Sequence, residues 1–187
     1  LKSMNIIWDK LNKLKPKYWF HLEDDFLFFK KENFISKAIN GLKLMDKENV
    51  KQILFNRCYA ETIADYNVIS HKYINNDFSL HVYKPNINSS CLNNYYWPHF
   101  SFRPSIIDVS SILHIGNFDS EQTFFEKSYA DKFVNNGFKS GFFNEICCIH
   151  IGKLTHEKEK PNAYQLNNTA QFGHEYNSFE QLIDDNF

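Results

Sequence analysis

The chain has 187 residues, enough for one domain with a real core and too few for two comfortable ones. Aromatic residues make up 17% of it, with 19 Phe and 10 Tyr, which excludes a disordered or low-complexity segment. Lys plus Arg (21) nearly cancels Asp plus Glu (22), so the basic excess of a dedicated nucleic-acid binder is missing, and no run of 18 apolar residues is present to span a bilayer.

In chain order, Met4, Ile7, Trp8, Leu11 and Leu14 recur at helical spacing and predict an amphipathic helix over Ser3–Leu14, stopped at Pro16. Tyr18–Leu22 reads as a short buried strand, ending on Glu23-Asp24-Asp25 and followed by the apolar run Phe26–Phe29. Phe34, Ala38, Ile39, Leu42 and Met45 predict a helix over Asn33–Lys47, and Val50–Asn56 reads as a strand. From Arg57 to Trp97 the periodicity fails, so a functional loop or insertion is expected there. Pro98 and Pro104 bracket an extended Phe100–Phe102; Ser105–Leu113 is predicted helical with Ser105 as its cap, and Glu121–Asn135 helical with a stop at Gly137. Gly141–His150 reads as a strand or hairpin, and the polar stretch 153–187 as a tail wrapping the domain. Cys58, Cys91, Cys147 and Cys148 form no CxxC pattern, so free thiols in a reducing, cytoplasmic compartment are expected. The sequence opens on Leu1 without a signal-peptide pattern, which suggests a piece of a longer chain.

Three adjacent carboxylates at the end of an aromatic strand are costly. Two like charges ~4 Å apart repel by about 4 kcal/mol at an effective dielectric of ~20, and burial against Trp19, Phe20 and Phe26 adds to this. A hard divalent cation with oxygen ligands would offset it, and strand carboxyl ends are where open α/β sheets bind ligands. The competing reading is a solvated turn.

YWFHLEDDF resembles the DxD-type motif of GT-A-fold glycosyltransferases in its EDD variant, family 2-like and of viral or bacterial type. The resemblance implies an α/β fold: one GT-A-like, Rossmann-type mixed sheet flanked by helices, with residues 1–152 forming the catalytic domain. It implies that Asp25 ligates Mn²⁺ or Mg²⁺ bridging a nucleotide-sugar diphosphate, while Glu23 and Asp24 contact ribose or the donor sugar. Glu126, eleven residues before Gly137, resembles the catalytic base that deprotonates the acceptor hydroxyl. The family often has Asp there; a solvated helix residue is the competing reading, and Glu121 the rival acid. His150, in Cys148-Ile149-His150-Ile151-Gly152, resembles a late histidine touching metal or diphosphate, with His156 as second choice and a core histidine as the alternative. Arg103 is expected either to meet diphosphate or to anchor its loop; His99 is a weaker candidate.

The similarity runs from about Tyr18 to Gly152. A nucleotide-binding half normally precedes the acidic motif, and it is expected upstream of Leu1. The expected function is metal-dependent, inverting transfer of a sugar from a nucleotide-sugar donor, UDP-sugar by default, to an acceptor hydroxyl on a glycan or other molecule. An inactive glycan- or nucleotide-binding domain of the same fold is the alternative. A metal-dependent nucleotidyltransferase is a third reading, for which no Gly-rich basic loop is visible. No nucleic-acid partner and no transmembrane segment are expected.

Overall fold

A computed structural model describes residues 2–55, 68–83, 99–118, 125–145 and 147–150. Helix α1 (Lys2–Leu14) forms as its periodicity predicts and buries Leu11. Strand β1 (Tyr18–His21) leads through a turn at Asp24-Asp25 into β2 (Phe26–Phe28). Asn33 caps α2 (Phe34–Leu44) by accepting from Ser36 N at 3.1 Å. The helix is shorter than its apolar pattern suggests: a 3₁₀ turn (Asp46–Glu48) and Asn49, in the left-handed region at φ 60°, redirect the chain into β3 (Val50–Leu54). Gly41 is required within α2 because the Phe78 ring lies where a Cβ would sit, with Cζ only 2.7 Å away.

Three expectations are corrected here. The stretch expected to be irregular contains a hairpin, β4 (Val68–Tyr73) and β5 (Phe78–Tyr83). Its turn is held by Asn75, whose Oδ1 accepts from Asp77 N and Phe78 N, a side-chain turn that an Asn-rich segment readily supplies. Residues Ser105–Asp108 are not the start of a helix but strand β6, buried at Ser105, Ile106 and Ile107. The true cap is Asp108, whose carboxylate accepts from Ser110 N at 3.0 Å to open α3 (Val109–Ile115). Downstream, α4 spans Phe125–Asn135, β7 Lys139–Phe143 and β8 Cys148–His150. The last two join different sheets, so Gly141–His150 is no hairpin.

The main sheet is mixed, in the order β1-β6-β3-β7-β5-β4, and β2 and β8 form a separate pair. Strand β6 runs antiparallel to both β1 and β3, while β3 and β7 are parallel. The carboxyl ends of β1, β3 and β7 therefore point the same way, and β6 begins where they end. Alternation along β6 builds two cores. Ile106 packs with Ala38, Leu42, Phe55, Phe78 and Phe143 under α2. Ile107 packs with Leu11, Phe100, Ile112, Tyr129 and Phe133, which come largely from α1, α3 and α4. The result is a helix–sheet–helix sandwich of α/β class. No helix among the described residues is long and apolar enough to cross a membrane. Cys147 and Cys148 are free and buried, as expected, and burial pushes the Cys147 thiol up to about 12. Cys58, Cys91 and the stretch 153–187 lie outside the described residues.

A candidate acidic site at the sheet rim

The register of β6 assembles the rim. Ser105 pairs with His21 on one side and Leu54 on the other, so the segment just before it, Ser101–Pro104, lies beside the carboxyl ends of β1 and β3. The acidic triplet leaves β1 at this same edge. Helix α4 brings Glu126 here from its first turn: Glu126 Oε1 accepts from Phe102 N at 2.8 Å and from Ser101 Oγ at 3.3 Å. Glu126 is thus not the solvated helix residue of the competing reading. Its neighbour Lys127 pairs with Asp131 instead, at 3.0 Å.

Electrostatics tie the pieces together. Glu23 is pushed up to about 7, first by desolvation, then by the charges of Asp25 and Glu126, against a downward pull from Arg103 and with a further push from Asp24. Residues far apart in sequence therefore feel one another: Glu23, Asp24, Asp25, Arg103 and Glu126 share one rim. Burial raises Glu126 as well, opposed by the Phe102 amide, Arg103 and the Ser101 hydroxyl. A carboxylate raised above its ordinary range is a better proton acceptor than an ordinary one. The triplet is less buried than its aromatic flanks suggest. Glu23 and Asp24 are exposed and Asp25 is half-buried, so water screens much of the repulsion expected from the sequence.

His150 is linked to the triplet through the small sheet. The β2–β8 register sets it opposite Phe26, the residue after Asp25. Its side chain lies outside the described residues, as do Glu121 and His156. Among the described residues, no three His, Cys, Asp or Glu side chains are grouped to hold a metal ion. Carboxylates are the ligand type of hard cations of the Mg²⁺ kind, which are commonly held by one or two of them plus substrate phosphates rather than by a protein cage.

Beneath the rim lies a group that the sequence reading missed. Gln52, fully buried in β3, donates through Nε2 to Ser101 O and to Ser105 Oγ (3.0 Å). Its Oε1 accepts from Ser101 N (3.2 Å) and Ser140 Oγ (2.8 Å). One amide thus pins the Ser101 segment to β3, β6 and β7, and the visible signal was a lone amide inside the apolar run VKQILF. His99 is fixed alongside: its Nδ1 accepts from Ser140 N at 3.4 Å, and burial pushes its pKa down to about 4. His21, 8% exposed, packs on Trp19 and Phe102. Burial lowers it to about 4, and its Nε2 has no hydrogen-bond partner among the described residues.

No family model, curated protein or solved structure matches this chain.

Proposed function

We propose that the rim is the donor-side site of a metal-dependent, inverting glycosyltransferase. The observation that carries this reading is that Glu126, hydrogen-bonded to the Ser101–Phe102 segment before β6, lies at the same sheet edge as the Glu23-Asp24-Asp25 turn that leaves β1. Carboxylates and a guanidinium at one rim are the side-chain types that a Mn²⁺ or Mg²⁺ ion with its diphosphate would use. In this reading Asp25 would hold the ion, with His150 as the further ligand implied by the resemblance, and the bound metal would supply Lewis-acid stabilisation of a departing nucleoside diphosphate. Glu23 and Asp24 orient the nucleotide sugar and Arg103 meets its phosphates. Glu126 takes the proton from the acceptor hydroxyl as that oxygen attacks the anomeric carbon. The hydroxyl oxygen forms the new glycosidic bond, and the bond to the diphosphate breaks with its electron pair leaving on the phosphate.

A second reading is favoured by one observation. Both hydrogen bonds of Glu126 described above fall on Oε1 and hold the Ser101–Phe102 segment, a role that a binding domain without turnover would equally need. The two separate in one experiment. The protein is incubated with Mn²⁺ and a panel of nucleotide sugars with sugar acceptors, while release of nucleoside diphosphate and donor affinity are followed. Metal-dependent release, abolished in Asp25→Ala, is expected. Metal-dependent binding with no release across the panel supports the inactive binding domain, and neither binding nor release dismisses both readings.

A further inference from the structure

Charge is distributed unevenly along this nearly neutral chain. Residues 2–17 hold Lys2, Lys10, Lys13, Lys15 and Lys17 against Asp9 alone, a net +4, whereas the whole chain carries −1. All five lysines are exposed, and none forms an ion pair among the described residues. Elsewhere Lys30, Lys37, Lys51, Lys72 and Lys127 each find an acid within 4.0 Å, while Lys31, Lys43, Lys47, Lys132 and Lys139 are also without an ion pair among the described residues but are scattered over the chain. At 3.6 residues per turn, Lys2, Lys10 and Lys13 share an arc of ~80° on α1. Ile6 lies inside that arc, 59% exposed, and Leu14 at the end of the helix is 71% exposed. The apolar face of the helix is already used, since Leu11 is buried and Met4, Ile7 and Trp8 pack on the core beside α3.

We propose that this basic face of α1 docks the protein on an anionic lipid bilayer surface. Charge complementarity selects an anionic partner, and the exposed Ile6 among lysines selects a bilayer over a soluble polyanion. An aliphatic side chain gains by entering the headgroup layer and gains nothing from a phosphodiester backbone. The lysine stems lie along that apolar boundary while their ammonium groups stay with lipid phosphates. Orientation follows from β1. Its amino end carries Lys15 and Lys17 and its carboxyl end carries Glu23–Asp25, with a four-residue strand of roughly 13 Å between them. Docking by the basic end turns the acidic rim away from lipids of its own charge sign. The inference stands on residues 2–17 and the direction of β1, independent of the reaction proposed above.

The test is flotation of the full chain with vesicles of phosphatidylcholine containing about a third phosphatidylglycerol, at ~50 mM salt. Pure phosphatidylcholine vesicles and a short DNA duplex are the comparison arms. Binding to the anionic vesicles and not to the neutral ones is expected, and the Lys2→Glu, Lys10→Glu, Lys13→Glu triple variant is expected to weaken it at least ~30-fold. Ile6→Asp is expected to weaken vesicle binding several-fold and to leave any DNA binding unchanged. Should the triple variant lose its circular-dichroism spectrum, salt titration of the unaltered protein decides, with release expected by about 0.5 M. Absence of binding, binding that survives charge reversal or high salt, or DNA binding as tight as vesicle binding with no effect of Ile6→Asp would each overturn the proposal.

Discussion

The knot around Gln52 and the rim around Glu23 both place polar groups close together, and they resolve the cost in opposite ways. Gln52 is fully buried, and each end of its amide engages two partners, a closed arrangement in which little is left over. At the rim, burial is not matched in this way: desolvation first and then neighbouring carboxylates raise Glu23, and burial raises Glu126 against its hydrogen bonds and Arg103. A polar cluster that serves the fold satisfies itself; one that serves a ligand leaves a charge for the ligand to complete.

The largest test of that contrast is Glu126→Gln. The amide oxygen still accepts from Phe102 N, so folding and donor binding should persist while transfer falls by a factor of 10²–10⁴. Retained nucleoside diphosphate release in this variant would assign Glu126 to the fold and erase the contrast. Gln52→Leu should cost about 3 kcal/mol in urea unfolding, because Ser101, Ser105 and Ser140 lose their shared partner in the interior. A loss below about 1 kcal/mol would mean that the knot is not closed.

The two regions also titrate with opposite signs. His21 and His99 fold with values near 4, below the ordinary 6.5. Their contribution is complete above pH 6.5 and lost as pH falls toward 4, by up to about 3 kcal/mol for His21. His21→Phe should flatten this acid-side loss in unfolding curves taken across that window, and an unaltered pH dependence would place His21 in water. Gly41→Ala, away from both regions, should lower stability by about 1–2 kcal/mol: the gain in helix propensity does not offset displacement of the buried Phe78 ring. A variant at least as stable as the parent would show that the ring yields. The smallest effect belongs to Glu23→Gln. Glu23 is raised in the folded chain, so its contribution is present below its ordinary 4.5 and disappears as pH climbs through 7. Removing the carboxyl should flatten the neutral side of the stability curve, and a saturating Mg²⁺ concentration should do the same to the parent if the rim holds an ion.

Much of the framework was legible in advance. The amphipathic pattern placed α1, and the aromatic run before Glu23 placed β1, because each element carries its own periodicity. Ser105–Asp108 was misread since Ser-Ile-Ile-Asp suits a cap and a first helical turn equally well. Only its position between β1 and β3, with both faces covered, makes it a strand. The hairpin at Phe78 hid in polar composition, because Ser79, buried at 1%, breaks the alternation expected of a half-buried strand. The nearness of Glu23 to Glu126 could be anticipated from a resemblance but not from spacing, as it depends on how α4 meets the loop before β6. Gln52 was passed over because a single amide in an apolar run announces burial without naming its partners.

The turn bearing Asp25 is fastened on both sides, by β1 to the large sheet and by β2 to the strand that ends at His150. It acts as a strap between two separately hydrogen-bonded bodies. A shift of the small sheet against the large one falls on the two chain links between them, His21–Phe26 and Phe143–Cys148, so the acidic turn lies on one of the joints where such a motion must be taken up.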